Sequence, residues 1–369
     1  MLAENDDIRN SILKLPCPTC GNQLSYSAEK QLISCGHCGF SRDFDKANDL
    51  VREQSLALAA SQQNQYKPKD LGKKVMNCGG CGAQLMIDSK EVSIRCNFCG
   101  SEKVNEEAFE QNLIQPQGIL PFVVTKRQAS DKFKEWIKKG WFHPTKLQKL
   151  AALGDVHGIY VPFWTFDAQT YTEWQGQAGY HYYENQTVYE NGEQKTKRVR
   201  KTRWEWKSGR FRQAFDDVLI VASKGLPEKI IERIFPYRLE ETINYQNELV
   251  VGWESEIYSI DVRQGYQKAE HKMMEDLRNR ARRELGGDEQ RSLSVDSDFF
   301  EQTFKHLILP VWLCSYQYKG KSYQFAVNGQ TGQINGEKPI SAIKVAIAVL
   351  IALAIIGLIV YFASQGEGN

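Results

Sequence analysis

The residues with the clearest chemistry are eight cysteines in the first hundred positions. Cys17-Pro-Thr-Cys20 is followed after fourteen residues by Cys35-Gly-His-Cys38, and Cys78-Gly-Gly-Cys81 after fourteen by Cys96-Asn-Phe-Cys99. The quartets lie 61 positions apart. The match extends beyond sulfur, to Gly21 and Gly82, Gln23 and Gln84, Leu24 and Leu85, Ile33 and Ile94, Gly39 and Gly100. Such matched spacing marks an internal duplication. Soft thiolates presented in pairs by CxxC turns suit one tetrahedral zinc ion per quartet, so two Zn2+ ions are expected. A catalytic zinc keeps one position open, whereas here cysteine fills all four. A redox CxxC pair works singly, not in matched quartets. The spacing leaves iron open as an alternative ion. His37, inside a knuckle with a cysteine on either side, is read as an exposed loop residue.

Each quartet needs turns and a hairpin to hold it. The glycine after the second cysteine of a pair suits a positive φ. QLSYSAEKQLIS and QLMIDSKEVSIR each read as a short hairpin between two CxxC turns. That pattern is a zinc ribbon. A module this small buries little apolar surface, so the ion supplies most of its folding energy, on the order of 10 kcal/mol.

Charge bears on what the ribbons touch. Residues 1–116 carry thirteen Lys/Arg and fifteen Asp/Glu, and each zinc with four thiolates adds −2, for a total of −6. Phosphate binding needs the opposite sign, so protein contact is favoured over nucleic acid. Periodicity predicts a helix over residues 44–60, with Ala47, Leu50, Val51, Gln54 and Leu58 on one side, then a polar linker. Another short helix is expected over about 105–114.

The middle of the chain is rich in aromatic strands. A helix with Phe133, Trp136 and Ile137 on one face precedes a long strand, GIYVPFWTFDAQTYTEW. Asn191-Gly192 marks a hairpin turn, VLIVAS a short buried strand, and Lys319-Gly320 a second hairpin. A long helix is predicted from about Val262 to Leu285, ending at Gly286-Gly287, with Tyr266, Ala269, Met273, Leu277 and Ala281 buried. Val161-Pro162-Phe163-Trp164 resembles Leu309-Pro310-Val311-Trp312, 148 positions later, which suggests two related halves. The lone pair Asp216-Asp217 is read as strand-end solvation and Cys314 as a buried, inert thiol. The histidines share no spacing, and there is no HExxH, GxSxG or P-loop, so no enzyme is expected. From Glu193 to Arg212 nine Lys/Arg and two Asp/Glu interleave with Trp204, Trp206 and Phe211. That basic arm is either a solvated hairpin or an anion contact, with lipid headgroups the nearer anion if the chain is tethered.

Val345 to Ala363 holds nineteen residues without a charge. At about 1.5 Å per residue it matches a hydrocarbon core of about 30 Å. Lys338 and Lys344 precede it and Glu367 follows, so the large amino-terminal part is expected in the cytoplasm of a single-pass inner-membrane protein. The expected organisation is α+β: ribbon 1 over 1–43, helix and linker over 44–74, ribbon 2 over 75–116, an α+β body over 117–339, and a transmembrane anchor with a short tail over 340–369.

The paired ribbons, VPFWTFDA, the TRW…SGR…DDVLIVAS run and PVWLCSYQYKGKSYQFAVNGQTGQINGEKP together resemble a bacterial family of TFIIB-type zinc-ribbon membrane proteins, often labelled primosomal helicase N′-like. The run from Asn328 to Pro339 is its most specific part. Without a Walker motif, helicase activity is not supported. The resemblance carries over only the eight cysteines as binding residues. It implies a recruiting role with a protein partner, either SPFH/flotillin-like or phage-shock A-like. The expectation is therefore a membrane-anchored adaptor in envelope stress or membrane organisation, possible as a homo-oligomer. The alternative is a tethered nucleic-acid-binding protein that uses the ribbons and the arm at 193–212.

Overall fold

The computed structural model describes residues 15–61, 65–66, 73–88, 96, 98–99, 101–102, 104–107, 113–139, 144, 156–190, 193–318 and 321–366. The first quartet sits on a three-stranded antiparallel sheet of β1 (Leu24–Ser27), β2 (Leu32–Cys35) and β3 (Ser41–Arg42), with Leu24 opposite Cys35. Gly21 and Gly39 have φ of +72° and +79°, as the knuckle turns require.

The helix expected over residues 44–60 is not there. The chain runs as an extended strap to β4 (Gln54–Ser55), followed by a 3-10 turn at Leu56–Ser61. The backbone finds its partners elsewhere: Ala47 O accepts from Asn244 N at 2.7 Å, and Leu50 N donates to Asn244 Oδ1 at 2.9 Å. β4 then pairs with Thr303 and Phe304. Long-range bonds replace the i→i−4 ladder, and Leu50 and Leu58 are left exposed. β5 (Gln65–Tyr66) leads to the second ribbon, β6 (Lys73–Cys78), β7 (Gln84–Asp88) and β8 (Val104–Glu107), in the order β7-β6-β8. The second expected helix is also corrected. Val104–Glu107 is strand, as is β9 (Leu113–Ile114), while 108–112 lie outside the described residues.

The body begins with β10 (Gly118–Ile119) and α1 (Lys126–Lys138). Two very long strands follow, β11 (His157–Glu190) and β12 (Glu193–Val221). Pairing of Glu190 with Glu193 brackets Asn191-Gly192, which itself lies outside the described residues. Short elements come next: α2 (Glu228–Glu232), β13 (Ile243–Asn244), α3 (Asn247–Val250) and β14 (Glu254–Glu256). Then come α4 (Val262–Leu285), β15 (Glu289–Tyr318), β16 (Lys321–Asn328), β17 (Ile334–Gly336) and α5 (Ala342–Gly366). The main sheet runs β13-β10-β15-β11-β14-β7-β6-β8, with β12 on β11, β16 on β15, β17 on β16 and β4 on β15. Ribbon 2 is therefore continuous with the body's sheet, through Ser255 opposite Met86.

Paired relationships run through this sheet. Val161 lies directly opposite Leu309. β10 is parallel to β15, with Gly118 opposite Leu307, and β14 is parallel to β11, with Glu254 opposite Ile159. Two helices open with a capping box, Thr125 with Gln128 in α1 and Asp261 with Gln264 in α4. Trp164 Nε1 donates to Ile260 O at 2.9 Å, and Trp312 Nε1 to Val124 O at 2.8 Å. Ala222 N donates to Pro162 O, and Gly329 N to Pro310 O.

α4 lies on β11, β12 and β15 by the stripe read from sequence: Tyr266, Ala269, Met273, Leu277 and Ala281 are buried, and Gly286 ends it at φ +66°. α1 packs Phe133 against Phe325, with ring centroids 3.7 Å apart. VLIVAS is no separate strand: Val218 to Val221 end β12, and Ala222 and Ser223 lie beyond it. Asp216-Asp217 is not a strand end but an irregularity within it: the register shifts between Phe166 and Ala168, and Asp217 has φ +52°. Beyond Gly179, where β15 stops pairing, β11 and β12 continue alone as a two-stranded arm. α5 is long and apolar enough to cross a membrane, and none of its residues from Ala342 to Ile359 is buried.

Candidate metal centres

Both cysteine quartets converge. In the first, Cys17 Sγ lies 3.5 Å from Cys38 Sγ, and Cys20 Sγ 3.6 Å from Cys35 Sγ. In the second, Cys78 and Cys99 are 3.5 Å apart, and Cys81 and Cys96 3.7 Å. Within each quartet all four sulfurs lie within 4.8 Å of one another. A disulfide needs about 2.05 Å, which excludes bonded pairs. Four sulfurs about 2.3 Å from a central zinc are about 3.8 Å apart, so the spacing and donor set fit a tetrahedral ion. The structure thus supplies two four-cysteine sites, each able to hold a metal.

Backbone amides aim at these sulfurs. The N–H groups of Cys38 and His37 hold Cys35 below the ordinary thiol range, against the opposing effect of burial. The Cys81 thiol does the same for Cys96, lowering it to about 5, and the same contact raises Cys81. His37 is exposed, as its place in the knuckle suggested.

The two sites are seated differently. Cys17, Leu24, Ile33 and Cys35 form a small apolar cluster of their own. Ribbon 1 reaches the body through Tyr26, whose hydroxyl donates to Phe122 O at 2.8 Å and whose carbonyl accepts from Trp253 Nε1 at 3.1 Å. An exposed ion pair, Arg42–Glu248, adds a 2.7 Å contact. Cys78 and Cys96, by contrast, are buried in one cluster with Met76, Phe98, Val161 and Leu309. Gly225 permits this approach, because a Cβ there would lie 2.7 Å from Ala83 Cβ and 2.8 Å from the Phe98 ring. Cys20 and Cys38 are exposed, whereas Cys81 and Cys99 are half-buried.

A third polar cluster was not legible beforehand. Glu53, Asp167 and Asp216 place carboxylate oxygens within 4.8 Å of one another. Lys305 already supplies a cation there, 2.7 Å from Asp217 and 3.7 Å from Glu53. Asp167 accepts from Asp217 N and Thr303 Oγ1, and burial, reinforced by Glu53, pushes its carboxyl up to about 7. This is an internal ion network at the β12 irregularity. Glu53 and Thr303, 250 positions apart in sequence, meet here, so no local motif announces it. Cys314 is buried in β15. His306 is also buried, with Nδ1 2.9 Å from Ile114 O and its ring against Trp164. His143 lies outside the described residues.

No family model matches the chain, and no solved structure matches it. It is 24% identical over 345 residues to a protein of Bacillus subtilis (strain 168) described as uncharacterized protein YdjG, covering 91% of this chain and 92% of the relative.

Proposed function

We propose that this chain is a membrane-anchored adaptor whose two zinc-filled ribbons present a fixed surface to a protein partner. The observation that carries it is the closure of both metal sites: four thiolates surround each centre, so an ion there fixes shape and has no position for a substrate. On this reading α5 crosses the inner membrane once and the ribbons and body face the cytoplasm, with Lys338 and Lys344 on the retained side. The body is a duplicated pair of halves. In support, the capping residues Thr125 and Asp261 precede their helices alike, and Trp164 and Trp312 make the same cross-contact. The partner class follows from the family resemblance, an SPFH/flotillin-like or phage-shock A-like protein.

The test is crosslinking in native membranes, followed by identification of neighbours for the full chain and for Cys38→Ser. A specific protein neighbour that disappears in Cys38→Ser supports the reading. No specific neighbour for the intact chain, or one indifferent to the substitution, counts against it.

A further inference from the structure

The arm formed by β11 and β12 has two unlike faces. Direct pairing puts Ala178 opposite Glu205, Tyr182 opposite Lys201 and Glu184 opposite Val199. These residues share the face of Trp174, Ala178 and Phe211, which α4 covers nearer the body. Its cations are mostly lysines interleaved with glutamates, and Lys201 and Arg203 are paired with Glu184 and Glu205. The alternate positions make the other face. In the arm these are His181, Tyr183, Asn185, Thr187 and Tyr189 from β11, with Gln194, Thr196, Arg198, Arg200 and Thr202 from β12, and Trp204 and Trp206 at its base. Not one of them is a carboxylate, and the Lys/Arg cations among them are Arg198 and Arg200 alone. Among the described residues Arg198 and Arg200 make no ion pair, whereas His181 meets Glu289 at 2.7 Å.

Its rings are open. Tyr183, Tyr189 and Trp206 are 56%, 75% and 65% exposed. Arg198 lies 4.2 Å from the Tyr183 ring centroid and Arg291 3.9 Å from that of Trp204. Below Trp206 the same face continues into a groove of about 630 Å³ lined by Gln175, Ser208, Arg210 and Ser294. Glu173 and Asp296 also line that groove, and Glu289 sits beside His181, so an anionic ligand meets like charge toward the body, not along Tyr183, Arg198, Arg200 and Tyr189. Flat rings interleaved with planar guanidinium groups stack bases and neutralise phosphates, independently of sequence.

The register also separates the arm from the anchor. Gly336 pairs with Phe325, Phe325 with Cys314, and Leu313 with His157, so α5 follows closely on the first residue of β11. The arm tip is the far end of that 34-residue strand, roughly 110 Å of contour away at about 3.3 Å per residue. The arm tip and the start of α5 therefore lie toward opposite ends of β11.

We propose that the arginine–aromatic face of the β11–β12 arm binds single-stranded nucleic acid by stacking on Tyr183, Trp206 and Tyr189, with Arg198 and Arg200 holding the phosphates. This goes beyond the adaptor reading and does not depend on it.

The test uses the full chain in neutral phosphatidylcholine nanodiscs and a fluorescein-labelled oligouridylate or oligothymidylate about twenty nucleotides long. Anisotropy is expected to show saturable binding that weakens as salt rises. Trp206→Ala and Tyr183→Ala are each expected to weaken it about tenfold. Lys197→Ser, on the other face, is expected to change it less than about twofold. All three side chains are exposed, and unchanged thermal melts establish that the variants fold. Absence of binding, equal losses from both faces, or capture of anionic vesicles without oligonucleotide binding each overturn the proposal.

Discussion

Trp312 donates its indole N–H to Val124 O across 2.8 Å, joining a central strand to the residue just before the Thr125 cap of α1. Trp164 does the same for Ile260, before the Asp261 cap of α4. Each tryptophan thus fixes where a helix begins relative to the sheet. Trp164→Phe removes a buried donor and leaves a carbonyl unsatisfied, at a cost of about 2 kcal/mol. Trp312→Phe is expected to cost a similar amount. Chemical denaturation of the two variants checks this, and similar losses with unchanged metal content are the expected outcome.

The seating of the ribbons separates the effects of losing each metal. Cys96 shares a buried cluster with Val161 and Leu309, so Cys96→Ser is expected to lower the melting temperature of the whole body, losing several kcal/mol of ion-derived stability. Cys38→Ser is expected to unfold ribbon 1 and leave the main transition within a few degrees of the parent, since their shared surface centres on Tyr26. Calorimetry of both variants distinguishes these outcomes.

His306 gives the stability a pH dependence of known sign. Ile114 O only accepts, so Nδ1 carries the proton, and Nε2 is buried without a partner. Burial lowers the group to about 4 from its ordinary 6.5. The unfolded chain therefore takes up a proton first as pH falls, and stability present above about 6.5 is lost towards about 4. Between pH 7 and 5 the loss is about 2 kcal/mol. His306→Asn keeps a donor near Ile114 O and does not titrate, so its stability is expected to fall less over this interval. Urea melts at the two pH values provide the comparison.

The helix α5 buries none of its residues from Ala342 to Ile359. The full chain is expected to stay with membranes through alkaline carbonate extraction, and a chain ending at Ser341 to be released. Lys338, seated on the Lys139 carbonyl at 2.9 Å and over the Trp136 ring, fixes the point where the chain leaves the body for α5. Retention of the shortened chain would point to a second membrane contact.

The local code was legible where partners are near in sequence. Cysteine spacing located both sites, and the knuckle glycines have the expected φ. The apolar stripe and Gly286 located α4, because its caps and buried face lie within the segment itself. It failed where distant backbone decides. Ala47, Leu50, Val51 and Leu58 have helical spacing, yet Asn244 and β15 hold the strap extended. Asp216-Asp217 looked like a strand end because a strand irregularity carries the same polar residues as a terminus. The tryptophan repeat was visible as four residues, but its meaning lies in contacts to Ile260 and Val124, which no spacing reveals. The arm's two faces follow from β11–β12 register, without which its charges read as one basic run.

The most direct measurement is metal content by mass spectrometry of the detergent-purified chain, read with its visible absorption. Two zinc ions per chain are expected, falling to one in Cys38→Ser, with a colourless protein. A chain holding less than one ion, or a brown iron-bearing protein, contradicts the account of two closed zinc sites.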